Sequence, residues 1–120
     1  MIPEINRGDV IYGEHYARYT FASQFVRGRK VLDVACGSGY GARLLAQSGA
    51  AQVYGVDISR EAIDYAEKSY HHPKVKFLVG NAQEIPLPDH SVDVVASMET
   101  IEHVEDYKEF LKEIKRVLKR

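Results

Sequence analysis

The chain reads as an α/β protein, a parallel sheet with helices packed on its faces. Three observations predict this. Four short runs are dense in apolar and β-branched residues: "KVLDVAC" (30–36), "QVYGVDI" (52–58), "KVKFLVG" (74–80) and "VDVVASM" (92–98). Helical periodicity follows the first, second and fourth runs, and strands alternating with helices imply parallel pairing. The first run is nearly unbroken in apolar character, as a strand covered on both faces requires.

Each element has its own signal. From Tyr12 to Val26, aromatic residues recur at helical spacings (Tyr12, Tyr16, Tyr19; Phe21, Phe25), so a helix is expected, with Gly28 as its stop. The first strand passes through glycines into a helix over about 40–48, which Gly49 ends. Ser59 is placed to cap a helix over 60–70, where Ile63, Ala66 and Tyr70 share a face. "IPLPDHS" is a proline-punctuated loop. Asp106 and Glu109 form a capping box for the last helix, whose apolar stripe is Tyr107, Phe110, Leu111, Ile114, Val117 and Leu118. The expected organisation is one domain over 1–120, with a helical segment over 1–28 and an α/β core over 29–120.

Composition excludes several classes. The 120 residues are 45% hydrophobic and 28% charged with a net charge of −1, which leaves no basic footprint for nucleic acid. No apolar stretch has the length of a membrane span, and the N-terminus does not read as a signal peptide. The single cysteine, Cys36, cannot form an internal disulfide and fits a reducing, cytoplasmic setting.

The chemistry concentrates in "VLDVACGSGYG". Gly37 and Gly39 lie between a strand end and a helix start, where an open parallel sheet takes its ligands. On their own, these glycines could simply make a tight turn. The second strand adds Asp57, a carboxylate placed to accept the two hydroxyls of a ribose. A capping role for Asp57 is less needed, because Ser59 already serves the next helix. Glycine turn and acidic strand end together indicate a nucleoside-containing cofactor. The spacing G-S-G-Y-G departs from the G-x-G-x-x-G of dinucleotide sites, and Asp33 would set a negative charge beside a pyrophosphate. A carboxylate suits a cationic amino-acid portion, as in S-adenosylmethionine.

"VLDVACGSGYG" resembles the first motif of class I S-adenosylmethionine-dependent methyltransferases, and "VYGVDIS" resembles their second. "FLVGNAQEIPLPDHSVDVVASMETIEHVED" is similar to the third and fourth motifs of the branch called methyltransferase type 11. The resemblance covers Lys30 to Lys119. It implies a three-layer Rossmann-like sheet with strand order 3-2-1-4, a truncated form of the family's 3-2-1-4-5-7-6. It also implies methyl transfer from S-adenosylmethionine to a small-molecule acceptor, with S-adenosylhomocysteine as product. Asp33, Ala35, Gly37, Ser38 and Gly39 would surround the methionine portion, and Asp57 the ribose hydroxyls. Ile58 would cover one adenine face, Asn81 and Ala82 would meet the adenine edge, and Met98 would follow the fourth strand into the site. Ala35 stands where the family usually has glycine, and Asn81 where many members have aspartate.

Other candidates are weaker. His103 is the candidate catalytic residue, as a general base or substrate contact, against local packing or capping of the last helix. Cys36 has no identifiable partner base for a nucleophilic role. His71 and His72 are adjacent and share no face, so no metal site is expected. His90 is expected to be solvated in its turn. Tyr12, His15, Tyr16 and Tyr19 could form a lid over the cofactor, although such a stripe is more often core.

The family's fifth strand would pair beside "VDVVASM". Without it, that edge is expected to be open and to drive homodimerisation. Two alternatives stand beside the enzyme: a non-catalytic S-adenosylmethionine-binding module that dimerises, and a nucleotide-dependent oxidoreductase.

Overall fold

The structure is a computed structural model of the chain and describes residues 4–6, 10–12, 23–34, 36–37, 39–97 and 107–119. Among these, the strands are β1 (Glu4–Asn6), β2 (Val10–Tyr12), β3 (Lys30–Val34), β4 (Gln52–Asp57), β5 (Val75–Val79) and β6 (Val94–Ser97). The helices are α1 (Tyr40–Gln47), α2 (Arg60–Ser69) and α3 (Tyr107–Val117). All six strands join one sheet in the order β1-β2-β6-β3-β4-β5. Its parallel core, β5-β4-β3-β6, is the order 3-2-1-4 expected from the sequence.

Strand alternation divides the core into two layers of contact. Val31, Val53, Phe77, Val94 and Ala96 bury one face of the sheet against Ala42, Leu45 and Ala46 of α1 and Ile63 and Ala66 of α2. Leu32, Val34, Val56 and Val95 bury the other against Phe110, Ile114 and Val117 of α3. Helices on both faces explain why the strands read as continuous apolar runs. Burying a side chain such as Phe110 contributes about 1.5–3 kcal/mol. Ser59 caps α2 through Ala62 N–H at 3.1 Å, as its position predicts. The capping residue proposed for α3, Asp106, lies outside the described residues. Leu111, read as part of the apolar stripe of α3, is 47% exposed, while Phe110, Ile114 and Val117 are buried and Leu118 packs beside them.

The N-terminal segment differs from the helix expected over Tyr12–Val26. Tyr12 ends a strand, and Ser23–Phe25 forms one 3-10 turn, while residues 13–22 lie outside the described residues. β1 and β2 form an antiparallel pair, and β2 pairs in parallel with β6 through Val10–Val95 and Ile11–Ala96. The edge of β6 is therefore covered, and the open edge expected to drive a homodimer is not found. Pairing to an unsatisfied row of backbone groups outweighs a local helical spacing, and Val10, Ile11 and Tyr12 are all strand formers.

Candidate functional site

Parallel pairing brings the carboxyl ends of β3, β4, β5 and β6 to one edge of the sheet. The segments that leave these ends build the site. After β3, Cys36 N–H donates to Val56 O at 3.0 Å, and Gly39 N–H donates to Cys36 O at 3.1 Å, closing a tight turn into α1. Gly37 and Gly39 have φ of +57° and +91°, a region that favours glycine.

The two glycines serve different ends. A Cβ at Gly39 would lie 2.5 Å from Ala66 Cβ and 2.8 Å from the Phe77 ring, so Gly39 lets the turn sit close to α2 and β5. A Cβ at Gly37 would have nothing within 4 Å among the described residues. Gly39 is needed by the fold, and no described residue crowds Gly37.

Asp57 binds the turn from the neighbouring strand. Its Oδ2 accepts the Gly37 N–H at 2.9 Å and its Oδ1 accepts the Ser59 N–H at 2.9 Å. Each oxygen retains acceptor capacity, so the carboxylate can brace the turn and still receive hydroxyls. Asp33 is fully buried on β3, beside Gly55 of β4 and Ala96 of β6. Burial pushes the Cys36 thiol far above its ordinary range, and the charges of Asp33 and Asp57 push it further. A thiolate nucleophile is thereby disfavoured. Two carboxylates at one glycine turn make a setting for a cation.

On the far side of Asp57 the surface is apolar. Ile58 is 69% exposed, and Val79, opposite Asp57 in the ladder, is exposed as well. Val79 received no role from the sequence, although it ends the third apolar run. Beyond it, Asn81 Oδ1 accepts the Gln83 N–H at 2.8 Å, and Asn81 O accepts the Glu84 N–H at 2.9 Å. Ala82 turns its side chain toward the α3 core. Arg116 and Glu113 of α3, also given no role beforehand, bond the loop that follows.

The structure thus brings together Asp33, Gly37, Gly39, Asp57 and Ile58, with Asn81 and Ala82 next along the edge. Ala35, Ser38, Met98 and His103 lie outside the described residues, as do His15, Tyr16 and Tyr19. His72 Nδ1 accepts the Lys74 N–H at 3.0 Å, and among the described residues no cluster of His, Cys, Asp or Glu could hold a metal. His90, expected to be solvated, is exposed but its Nδ1 also bonds Leu118 O at 2.9 Å. No helix among the described residues is long and apolar enough to cross a membrane.

Comparison with known proteins agrees with this geometry. A family model described as a methyltransferase domain matches residues 32–120. A probable S-adenosylmethionine-dependent methyltransferase of Mycobacterium tuberculosis is 37% identical over 118 residues, covering 98% of this chain and 42% of that protein. A fatty-acid O-methyltransferase of Mycolicibacterium smegmatis is 32% identical over 117 residues, covering 97% of this chain and 41% of its own length. The chain thus spans less than half the length of these relatives. A Haloferax volcanii putative methyltransferase, solved in complex with the Trm112 activator, superposes with a TM-score of 0.80 at 33% identity, over 88% of this chain and 48% of that one. The match over residues 32–120, on a parallel sheet with a glycine turn braced by an acidic strand end, makes this chain a member of the class I S-adenosylmethionine-dependent methyltransferases.

Proposed function

We propose that the chain binds S-adenosylmethionine at the carboxyl edge of β3, β4 and β5 and serves its methyl transfer to a small-molecule acceptor. The observation that carries this reading is the Gly37–Asp57 hydrogen bond, with no described residue over Gly37 and an exposed Ile58 beside it. The donor set fits the cofactor's chemistry. Asp33, with Ala35, Ser38 and the two glycines around it, faces the ammonium-bearing half. Asp57 holds the ribose hydroxyls, Ile58 and Val79 offer apolar surface to the base, and Asn81 and Ala82 meet its edge. Met98 is assigned to the wall after β6.

S-adenosylmethionine supplies an electrophilic methyl on a sulfonium, taken by an acceptor nucleophile in an in-line displacement that leaves neutral S-adenosylhomocysteine. The leaving group needs no proton, so the work of these residues is holding and aligning. A base is required only when the acceptor must lose a proton, and His103 is assigned to that acceptor side. The single buried cysteine accords with a cytoplasmic location.

A nucleotide-dependent oxidoreductase is less well supported, since Gly37, Gly39 and Gly41 depart from the G-x-G-x-x-G spacing and two carboxylates flank the turn. Calorimetric titration tests the choice. S-adenosylhomocysteine should bind and NAD should not; binding of NAD alone would reverse the reading. His103→Ala should leave the S-adenosylhomocysteine affinity unchanged while altering turnover, and loss of that affinity in a folded variant would move His103 to the cofactor.

A further inference from the structure

We infer that Arg116 and Glu113 are positioning residues for adenine recognition, holding the loop after β5 so that Asn81 and Ala82 stand ready for the base. The inference rests on the reading of Asn81 proposed above. Arg116 spends all five guanidinium N–H groups within this network. Nε donates to Glu113 Oε2 at 2.7 Å. Nη1 donates to Leu87 O at 2.8 Å and to Asp89 Oδ1 at 2.9 Å. Nη2 donates to Ile85 O at 2.9 Å and to Glu113 Oε1 at 2.9 Å. Glu113 Oε1 also accepts the Ile85 N–H at 2.8 Å. Both polar groups of Ile85 are therefore held by α3, while its side chain is buried among Leu32, Val56 and Phe110.

Ile85 directly follows the turn that begins at Asn81 and closes at Glu84. Asn81 O accepts the Glu84 N–H, Asn81 Oδ1 accepts the Gln83 N–H, and Asn81 and Glu84 form a β-bridge. Glu84, bonded to Asn81 O, is the chain neighbour of Ile85, so a displacement of Ile85 reaches Asn81 through that bond. Hydrogen-bond recognition of a base edge tolerates little displacement, so the turn must be fixed from behind. The Asp89 contact is exposed and adds little; the contacts to the Ile85 and Leu87 backbone do the fixing.

The test is a double-mutant cycle on S-adenosylhomocysteine binding, using Arg116→Lys, which keeps charge but cannot reproduce the fork, and Asn81→Ala. Arg116→Lys should weaken binding on the order of tenfold when Asn81 is present and less than about twofold in the Asn81→Ala background. Equal losses in both backgrounds, or none, would overturn the inference. Hydrogen exchange without ligand gives an independent readout. The Glu84 and Ile85 amides should exchange on the order of tenfold faster in Arg116→Lys and in Glu113→Gln, while the Phe77 amide keeps its protection. Unchanged exchange at Glu84 would overturn the inference by itself. A wild-type chain that fails to bind S-adenosylhomocysteine would count against the proposed function, and the exchange result would still decide the role of Arg116.

Discussion

Gly37 and Asp57, on neighbouring strand exits, share a 2.9 Å hydrogen bond from the glycine N–H to Oδ2. A hydrogen bond within the chain thus braces the glycine turn, and the residue assigned to the ribose is the one that supplies it. A turn braced in this way spares binding part of the cost of ordering a loop.

Removing that carboxylate should have two effects at once. Asp57→Ala is expected to weaken S-adenosylhomocysteine binding by about 1.5–3 kcal/mol, the range for hydrogen bonds to a charged group. It should also speed exchange of the Gly37 amide. Calorimetry and amide exchange on the same folded variant check both, and an unchanged dissociation constant would refute the ribose assignment.

The two glycines should separate binding from stability. Gly39→Ala places a Cβ against Ala66 and Phe77 at a φ of +91°, and should cost on the order of 3 kcal/mol of stability. At Gly37→Val the Cβ meets no atom of the described residues within 4 Å, so its cost is the left-handed backbone, about 1–2 kcal/mol, yet it should abolish cofactor binding. Denaturant melts and titrations on the pair measure this; normal binding by Gly37→Val would show that the approach path lies elsewhere.

Acid should loosen the loop clamp. The hydrogen bonds from Arg116, and then from Ile85 N–H, hold the Glu113 carboxyl below its ordinary value of 4.5. Asp93 is likewise lowered, first by the Lys30 N–H at 2.9 Å and then by Lys119. A depressed carboxyl pKa stabilises the fold above its unfolded value, and that contribution is lost as pH falls through the folded value. Stability should therefore decline below about pH 4.5. Glu113→Gln should flatten that decline in thermal melts recorded against pH; an identical slope in the variant would remove Glu113 from the account.

Covering of β6 by β2 gives a fourth expectation. The intact chain should run in size exclusion with light scattering near its 13.6 kDa mass. A variant lacking residues 1–12 should form dimers or larger species, because the β6 edge is then unpaired. Equal masses for the two would show that β2 does not protect that edge.

The core strands, the Ser59 cap and the placing of the glycine turn and Asp57 at strand ends were legible in the sequence because each depends on residues close together or on strand ends that parallel topology must align, whereas the Gly37–Asp57 hydrogen bond was not foreseen. Other features were not. "VIY" at 10–12 becomes a strand through pairing with Val95 and Ala96, a partner far along the chain that no local pattern names. Arg116 and Glu113 lie outside the apolar stripe of the last helix and carried no local signal, and only the fold brings Ile85 and Leu87 within their reach. The difference between Gly37 and Gly39 required knowing where Ala66 and Phe77 lie.

The place of β2 also sets an order of events in folding. The β1–β2 pair is local and can form early, but its docking partner β6 is separated from it by most of the chain. Closing so long a loop is entropically costly and repaid only once the β3–β6 pairing exists. The hairpin must therefore dock late. During synthesis, β2 emerges well before β6 and waits for it before it can join the sheet.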